Sequence, residues 1–264
     1  MQKIPLVKAK EIEAQIARPH RTGPLSLLPT PLHCLSMPDE EQHIFNISFL
    51  WEIHRPLIAQ FLAEATYVLF VQHDALRLRM IRSGNQWQGY LVPLDLSVPC
   101  TIIDLSDVPA NRHSATIEKQ VEDLQSTLDL SEGPLLRVAY FNLGEAYPGR
   151  LLFMVHHYIS DAFSTKILLE DFFTAYEQLS NGQNLRLQSP SHSLYDYAER
   201  LRAYASSEQL DQEIDYWVSS QRRQVKSLPV DYPGNIDLPG EKDYIYTDWR
   251  KRKRACFSPS AAQG

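Results

Sequence analysis

Cysteine is scarce in this chain of 264 residues: there are three, Cys34, Cys100 and Cys256, far apart and odd in number. They offer neither a disulfide framework nor a C-x-x-C metal pair, so disulfide-stapled and metal-dependent readings both lapse. Glycine is sparse as well, 10 residues against 17 prolines, and neither forms a repeat, which excludes collagen-like and low-complexity architectures. Positive charge is not in excess. The net charge of -6 argues against a surface built broadly for nucleic acid or anionic lipid. No apolar run is long enough to cross a bilayer, and no early stretch joins a basic start to an apolar run. The expectation is a soluble cytoplasmic protein that neither enters a membrane nor binds nucleic acid.

What is present is the makings of a core. Hydrophobic residues make up 44% of the chain and charged residues 22%, enough to bury one large core or two modest ones. Residues 1–22 are polar and basic, with Lys3, Lys8, Lys10 and Arg18, and read as a leader or linker that holds one short helix over Lys8–Ile16. Asn46–Ile53 alternates, with Ile47, Phe49, Trp51 and Ile53 on one face, and predicts a half-buried strand. Pro56 is expected to open a helix carrying Ile58, Phe61, Leu62, Ala65, Val68 and Leu69 on one stripe.

Strands are expected at Ala75–Ile81 and Trp87–Val92, paired across Ser83-Gly84-Asn85. Ile117, Val121, Leu124 and Leu128 predict a helix that ends before Gly133-Pro134, and strands follow at Leu135–Asn142 and Leu151–Val155. A long helix after Asp161 places Leu168, Phe172, Ala175 and Leu179 at helical spacing, and Leu194–Ser220 reads as helical too. Strands and helices mixed over one continuous stretch indicate an α/β sandwich with a mixed sheet.

The last stretch predicts a polar loop after Pro229–Gly234, a strand at Arg254–Phe257, and Ser258-Pro259 as a helix cap. A helix announced five residues before the last residue points to a truncated chain. The basic run Trp249–Arg254 is read as a solvated linker or strand face, because the rest of the chain is acidic.

The most informative run is Leu151-Leu152-Phe153-Met154-Val155-His156-His157-Tyr158-Ile159-Ser160-Asp161-Ala162. An apolar strand delivers two adjacent histidines to its end, and an acidic residue opens the next helix. Neighbouring side chains on a strand point to opposite faces, so one histidine is fixed inside while the other faces a cleft. An imidazole suits proton transfer near neutral pH. Asp161 fits a helix start, where exposed N–H groups favour a carboxylate. A pair of core histidines satisfied by backbone is the plain alternative for His156 and His157.

This segment resembles the HHxxxDG motif of the condensation domain family of nonribosomal peptide synthesis, which shares its fold with chloramphenicol acetyltransferase. Gly23–Thr30 is similar to the family's opening motif, His73-Asp74-Ala75-Leu76-Arg77-Leu78-Arg79 to its HDALRLRF run, and Gly133–Arg137 to the strand before the active-site strand. The resemblance covers roughly residues 23–235 in four ordered motifs. It implies a chloramphenicol acetyltransferase-like α/β fold of two lobes. Here the condensation-type lobe and its following helices would occupy 23–235, and residues 236–264 would begin a truncated second lobe.

By the same resemblance His157 is the catalytic histidine, His156 the structural one, Asp161 holds the local backbone, and Arg137 is its salt-bridge partner. The family's glycine after the aspartate is Ala162 here, and its methyl group is expected to narrow the approach of the substrate arm. The implied reaction joins aminoacyl or peptidyl thioesters by an amide bond. The chain has no cofactor of its own; substrates ride on phosphopantetheine of partner carrier proteins within neighbouring synthetase domains. Two alternatives stand beside it. An epimerisation-type member of the superfamily is suggested by Asn46-Ile47-Ser48, Ile167–Phe172 and Leu228–Pro233. A non-catalytic carrier-binding fragment is suggested by Ala162 and the early end.

Overall fold

A computed structural model of the chain describes residues 2–16, 20–26, 28–29, 45–83 and 86–224. The expected Gly84-Asn85 turn, the strand at 254–257, the basic run at 249–254 and the cap at Ser258 lie outside the described residues. The chain divides into two compact units, residues 1–212 and 213–264.

The first unit is built on a five-stranded sheet. Its strands are β1 (Gln2–Lys3), β3 (Asn46–Ile53), β6 (Cys100–Asp104), β7 (Leu136–Asn142) and β8 (Gly149–His156), in the order β1-β6-β7-β8-β3. Pairing of β6 with β7 is parallel and every other pairing is antiparallel, so the sheet is mixed as expected. A parallel pair needs a crossover, supplied by helix α3 (His113–Gln125). β6 carries no alternating apolar signature, and the sequence pattern does not reveal it.

β8 lies between β7 and β3, and Leu151 to His156 are all buried. A strand covered on both faces reads as a continuous apolar run, and Leu-Leu-Phe-Met-Val does. On one side Leu151, Phe153 and Val155 join a core with α1 (Ala9–Ile16), α2 (Ala59–Gln72) and α4 (Ala162–Ser180). On the other, Leu152 and Met154 meet Ile117 and Leu124 of α3. A smaller three-stranded antiparallel sheet, β2 (Gly23–Leu25), β5 (Gln86–Leu91) and β4 (Leu78–Ser83), in that order, closes a second core with Leu135, Tyr158 and Ala198.

Several local expectations are corrected. The first 22 residues are not merely a leader: β1 pairs with β6, and Ile12 of α1 is buried in the main core. The helix after Pro56 begins at Ala59, and Ile58 sits exposed at its cap with its N–H donated to the Tyr176 hydroxyl. From Leu62 to Leu69 the helix is buried all round, not on one stripe.

Asp74–Arg77 forms a 3₁₀ turn instead of opening the strand. The Arg77 guanidinium reaches the Asp74 carboxylate at 2.8 Å, and side chains three apart stack in a 3₁₀ repeat. Leu194–Ser220 breaks at Ser206-Ser207 into α5 (Leu194–Ala205) and α6 (Glu208–Val218), followed by α7 (Ser220–Arg223). In the second unit, the described residues 213–224 set Arg222 over the rings of Tyr216 and Trp217, at 4.2 and 4.8 Å.

Phe153 of β8 and Phe172 of α4 join sheet to helix, with ring centroids 5.7 Å apart and no exposure for either. Phe153→Ala is expected to cost about 3–5 kcal/mol. In urea the midpoint should fall with the slope unchanged; an unmoved midpoint would mean that this contact does not hold the layers together.

Candidate active site

β8 ends at His156, and the alternation along it separates the two histidines. His156 has no exposed surface. Its Nδ1 accepts the Tyr158 N–H at 3.2 Å, which leaves the ring proton on Nε2. His156 N–H donates to the Leu135 carbonyl at 2.9 Å, tying β8 to the start of β7.

His157 continues the parity of Phe153 and Val155 and lines a cavity of about 620 Å³. The 3₁₀ turn contributes Leu76 to that cavity and His73 precedes it there; α4 contributes Ser164 and Leu168, and α5 contributes Tyr197. The His157 ring stacks on Phe45, with centroids 4.6 Å apart and planes 7° from parallel, and its backbone N–H donates to the Phe45 carbonyl at 2.8 Å. Nδ1 is buried without a hydrogen-bond partner among the described residues, so Nε2 is the ring nitrogen left for a ligand. A ring stacked on one face, with one of its nitrogens buried, presents the other nitrogen in a fixed direction.

Asp161 caps α4: its Oδ1 accepts the Ser164 N–H at 2.8 Å. That bond, from a backbone amide, holds its carboxyl below the ordinary carboxylate range. Asp161 lines the same cavity as His157, as does Ser160, whose hydroxyl bonds that of Thr165 at 2.7 Å.

Two expected site residues go elsewhere. Arg137 does not pair with Asp161: it donates to the Thr127 carbonyl at 3.3 Å and lines a different cavity, because its place near the start of β7 turns it away from the helix cap. Ala162, the first residue of α4, lines a separate hollow with Phe49, Leu169 and Phe173 and is absent from the lining of the His157 cavity.

One pair escapes sequence reasoning. His73 Nε2 lies 2.7 Å from Asp171 Oδ2, both largely buried, and His73 lines the same cavity as His157. A signal is present in the sequence, since His73 opens the HDALRLR run, but its partner stands 98 residues away on α4.

These features define a class: an α/β sandwich that brings a stacked, half-buried histidine and a helix-capping aspartate to one cavity at the end of an interior strand. The Condensation domain model matches residues 24–251, and the chain belongs to that family, an acyltransferase-type family. The chain is 39% identical over 229 residues to one of the proteins of linear gramicidin synthase from Brevibacillus parabrevis, covering 86% of this chain and 4% of that protein. It is 34% identical over 217 residues to chondramide synthase of Chondromyces crocatus, covering 80% and 5%.

Among solved structures, the epimerization domain from the third module of tyrocidine synthetase B superposes with a TM-score of 0.70 at 25% identity. That match covers 80% of this chain and 47% of that one. The starter condensation domain of rhizomide synthetase superposes with a TM-score of 0.61 at 20% identity, covering 79% and 49%. The chain thus spans about half the length of these solved domains. No described helix is long and apolar enough to cross a membrane.

Removing His156 leaves a hole and an unmet N–H at Tyr158, so His156→Ala is expected to cost roughly 2–4 kcal/mol. His157→Ala should cost less than about 1 kcal/mol, as its ring is only partly buried. Equal melting temperatures for the two variants would overturn the division of roles. Asp161→Ala should lose about 1 kcal/mol of capping. Because the folded carboxyl lies below its unfolded value near ~3.9, that contribution is complete above the unfolded value. It fades as pH falls through the folded one. Denaturation of wild type and variant should therefore converge in acid.

Proposed function

We propose that this chain supplies the histidine-bearing half of a domain that forms amide bonds between carrier-tethered thioesters. The observation that carries this reading is His157, clamped against Phe45 with one ring nitrogen left to a cavity of about 620 Å³. The acceptor's amine nitrogen adds to the donor's thioester carbonyl carbon; the C–N bond forms and the C–S bond breaks. The proton lost by the amine passes to His157 and from there to the departing sulfur, so the products are an amide and a thiol. Clamping also orients the ring, so that His157 can act by positioning the amine as well as by taking its proton. The partners are carrier proteins bearing phosphopantetheine thioesters, which arrive as substrates.

The test joins the chain to the corresponding second half taken from the linear gramicidin synthase relative and supplies two loaded carrier proteins. Peptide formation should fall at least 100-fold in His157→Ala with the melt nearly unchanged. Full retention of product would sink the assignment.

A second reading, epimerisation of a carrier-bound aminoacyl group, is favoured by the tyrocidine synthetase B superposition. In heavy water an epimerising domain washes deuterium into the α-carbon of a single loaded carrier, whereas a condensing domain leaves that position as protium and makes peptide. A protein that does neither while binding loaded carriers is a non-catalytic docking module.

A further inference from the structure

On the other side of the 3₁₀ turn from His157 lies a second cavity, of about 460 Å³. The turn divides them: Ala75 and Leu76 line the first, Arg77 the second, and Arg79 follows on β4. Three guanidinium groups line this second cavity, those of Arg77, Arg79 and Arg137.

Two of them are accounted for. Arg77 is ion-paired with Asp74 and donates to the Val92 carbonyl at 2.7 Å. Arg79 donates to the Glu132 and Leu78 carbonyls at 3.0 and 2.8 Å, and feels the carboxylates of Asp129, Glu132 and Asp95. Its guanidinium lies so close to Gly133 that any side chain there would overlap it.

Arg137 is different. Among the described residues its one hydrogen bond goes to a carbonyl and it has no ion pair. Burial lowers its guanidinium without any carboxylate offsetting that effect. Among the described residues its Nε is buried with no acceptor, and so is the Nε of Arg77, a side chain 1% exposed. Buried N–H groups almost always have partners, and a charged one left without is costly. Arg137 is thus a guanidinium on this cavity's wall that no carboxylate among the described residues offsets.

We propose that this cavity is a binding site for a small organic monocarboxylate with an apolar body, its carboxylate seated on the Arg137 fork. A guanidinium presents paired donors that match the two oxygens of a carboxylate. A single negative charge fits because Asp95 and Glu132 also line the cavity and would repel a doubly charged phosphate. The apolar walls come from Phe70, Val98, Pro99 and Pro134, which suit a branched or cyclic hydrocarbon body. Cys100 also lines the site, but burial pushes its thiol up to about 12, so it stays protonated and offers packing instead of attack. Arg137 thus serves this second cavity and not the helix cap at Asp161. The site stands whether or not His157 is catalytic, because no part of the argument passes through the first cavity.

The test uses the chain itself, titrated with 4-methylpentanoate, with the neutral isostere 4-methylpentanamide, and with inorganic phosphate at matched ionic strength. The carboxylate should raise the melting temperature and shift the amide resonances of Thr101, Gly133 and Arg137. The amide and phosphate should do neither. Arg137→Gln should weaken carboxylate binding at least tenfold, and Arg137→Lys, which keeps the charge but loses the fork, by less. Binding of the amide as tightly as the acid would overturn the proposal, as would tighter binding of phosphate. Unchanged affinity in a folded Arg137→Gln variant would overturn it too. Should that variant fail to fold, the wild-type resonance shifts decide alone: shifts absent, or confined to the His157 cavity, reject the site.

Discussion

The arrangement of the first unit depends on one constraint, the burial of β8 on both faces and both edges. Once β3 and β7 pair with it and helices cover it on either side, the two-residue period of the strand has no freedom left. His156 must fall with Leu152 and Met154 and is sealed, and His157 must fall with Phe153 and Val155 on the side of α4. A slip of one residue would exchange the two rings and turn every core side chain of the strand to the opposite face. The histidine that meets the cavity is therefore selected by the same packing that holds the sheet together.

The 3₁₀ turn at Asp74–Arg77 is the second organising element. Its buried ion pair is short and satisfied on the Asp74 side, and the Arg77 guanidinium also fastens the end of β5 through the Val92 carbonyl. Replacing either member alone would leave the other charge buried without a partner, a much larger loss than the pair contributes. By standing rigid, the turn forms a wall between two cavities of different chemistry, one lined by imidazoles, the other by guanidiniums. His73 enters the first cavity already held by Asp171, which links the wall to α4. The motif that contains this turn thus acts in both cavities while none of its residues adjoins His157 in sequence.

The amino-acid sequence by itself determined the elements whose signals are local. The alternation of Asn46–Ile53, the apolar run before His156-His157, the cap at Asp161 and the helix after it all follow from spacing and side-chain chemistry, and all are where they were expected. The mixed sheet and the family follow from the order of those motifs. Tertiary structure decided what spacing cannot encode. β6 exists because β7 offers it a parallel partner, not because its own residues alternate. The leader joins the core because Ile12 finds α2. Arg137 and Ala162 line other cavities than His157, and His73 lines the same one, because a side chain's neighbours are fixed by how strands and helices cross. The partner of His73 lies 98 residues further along the chain; no local pattern carries information over that distance, and packing does.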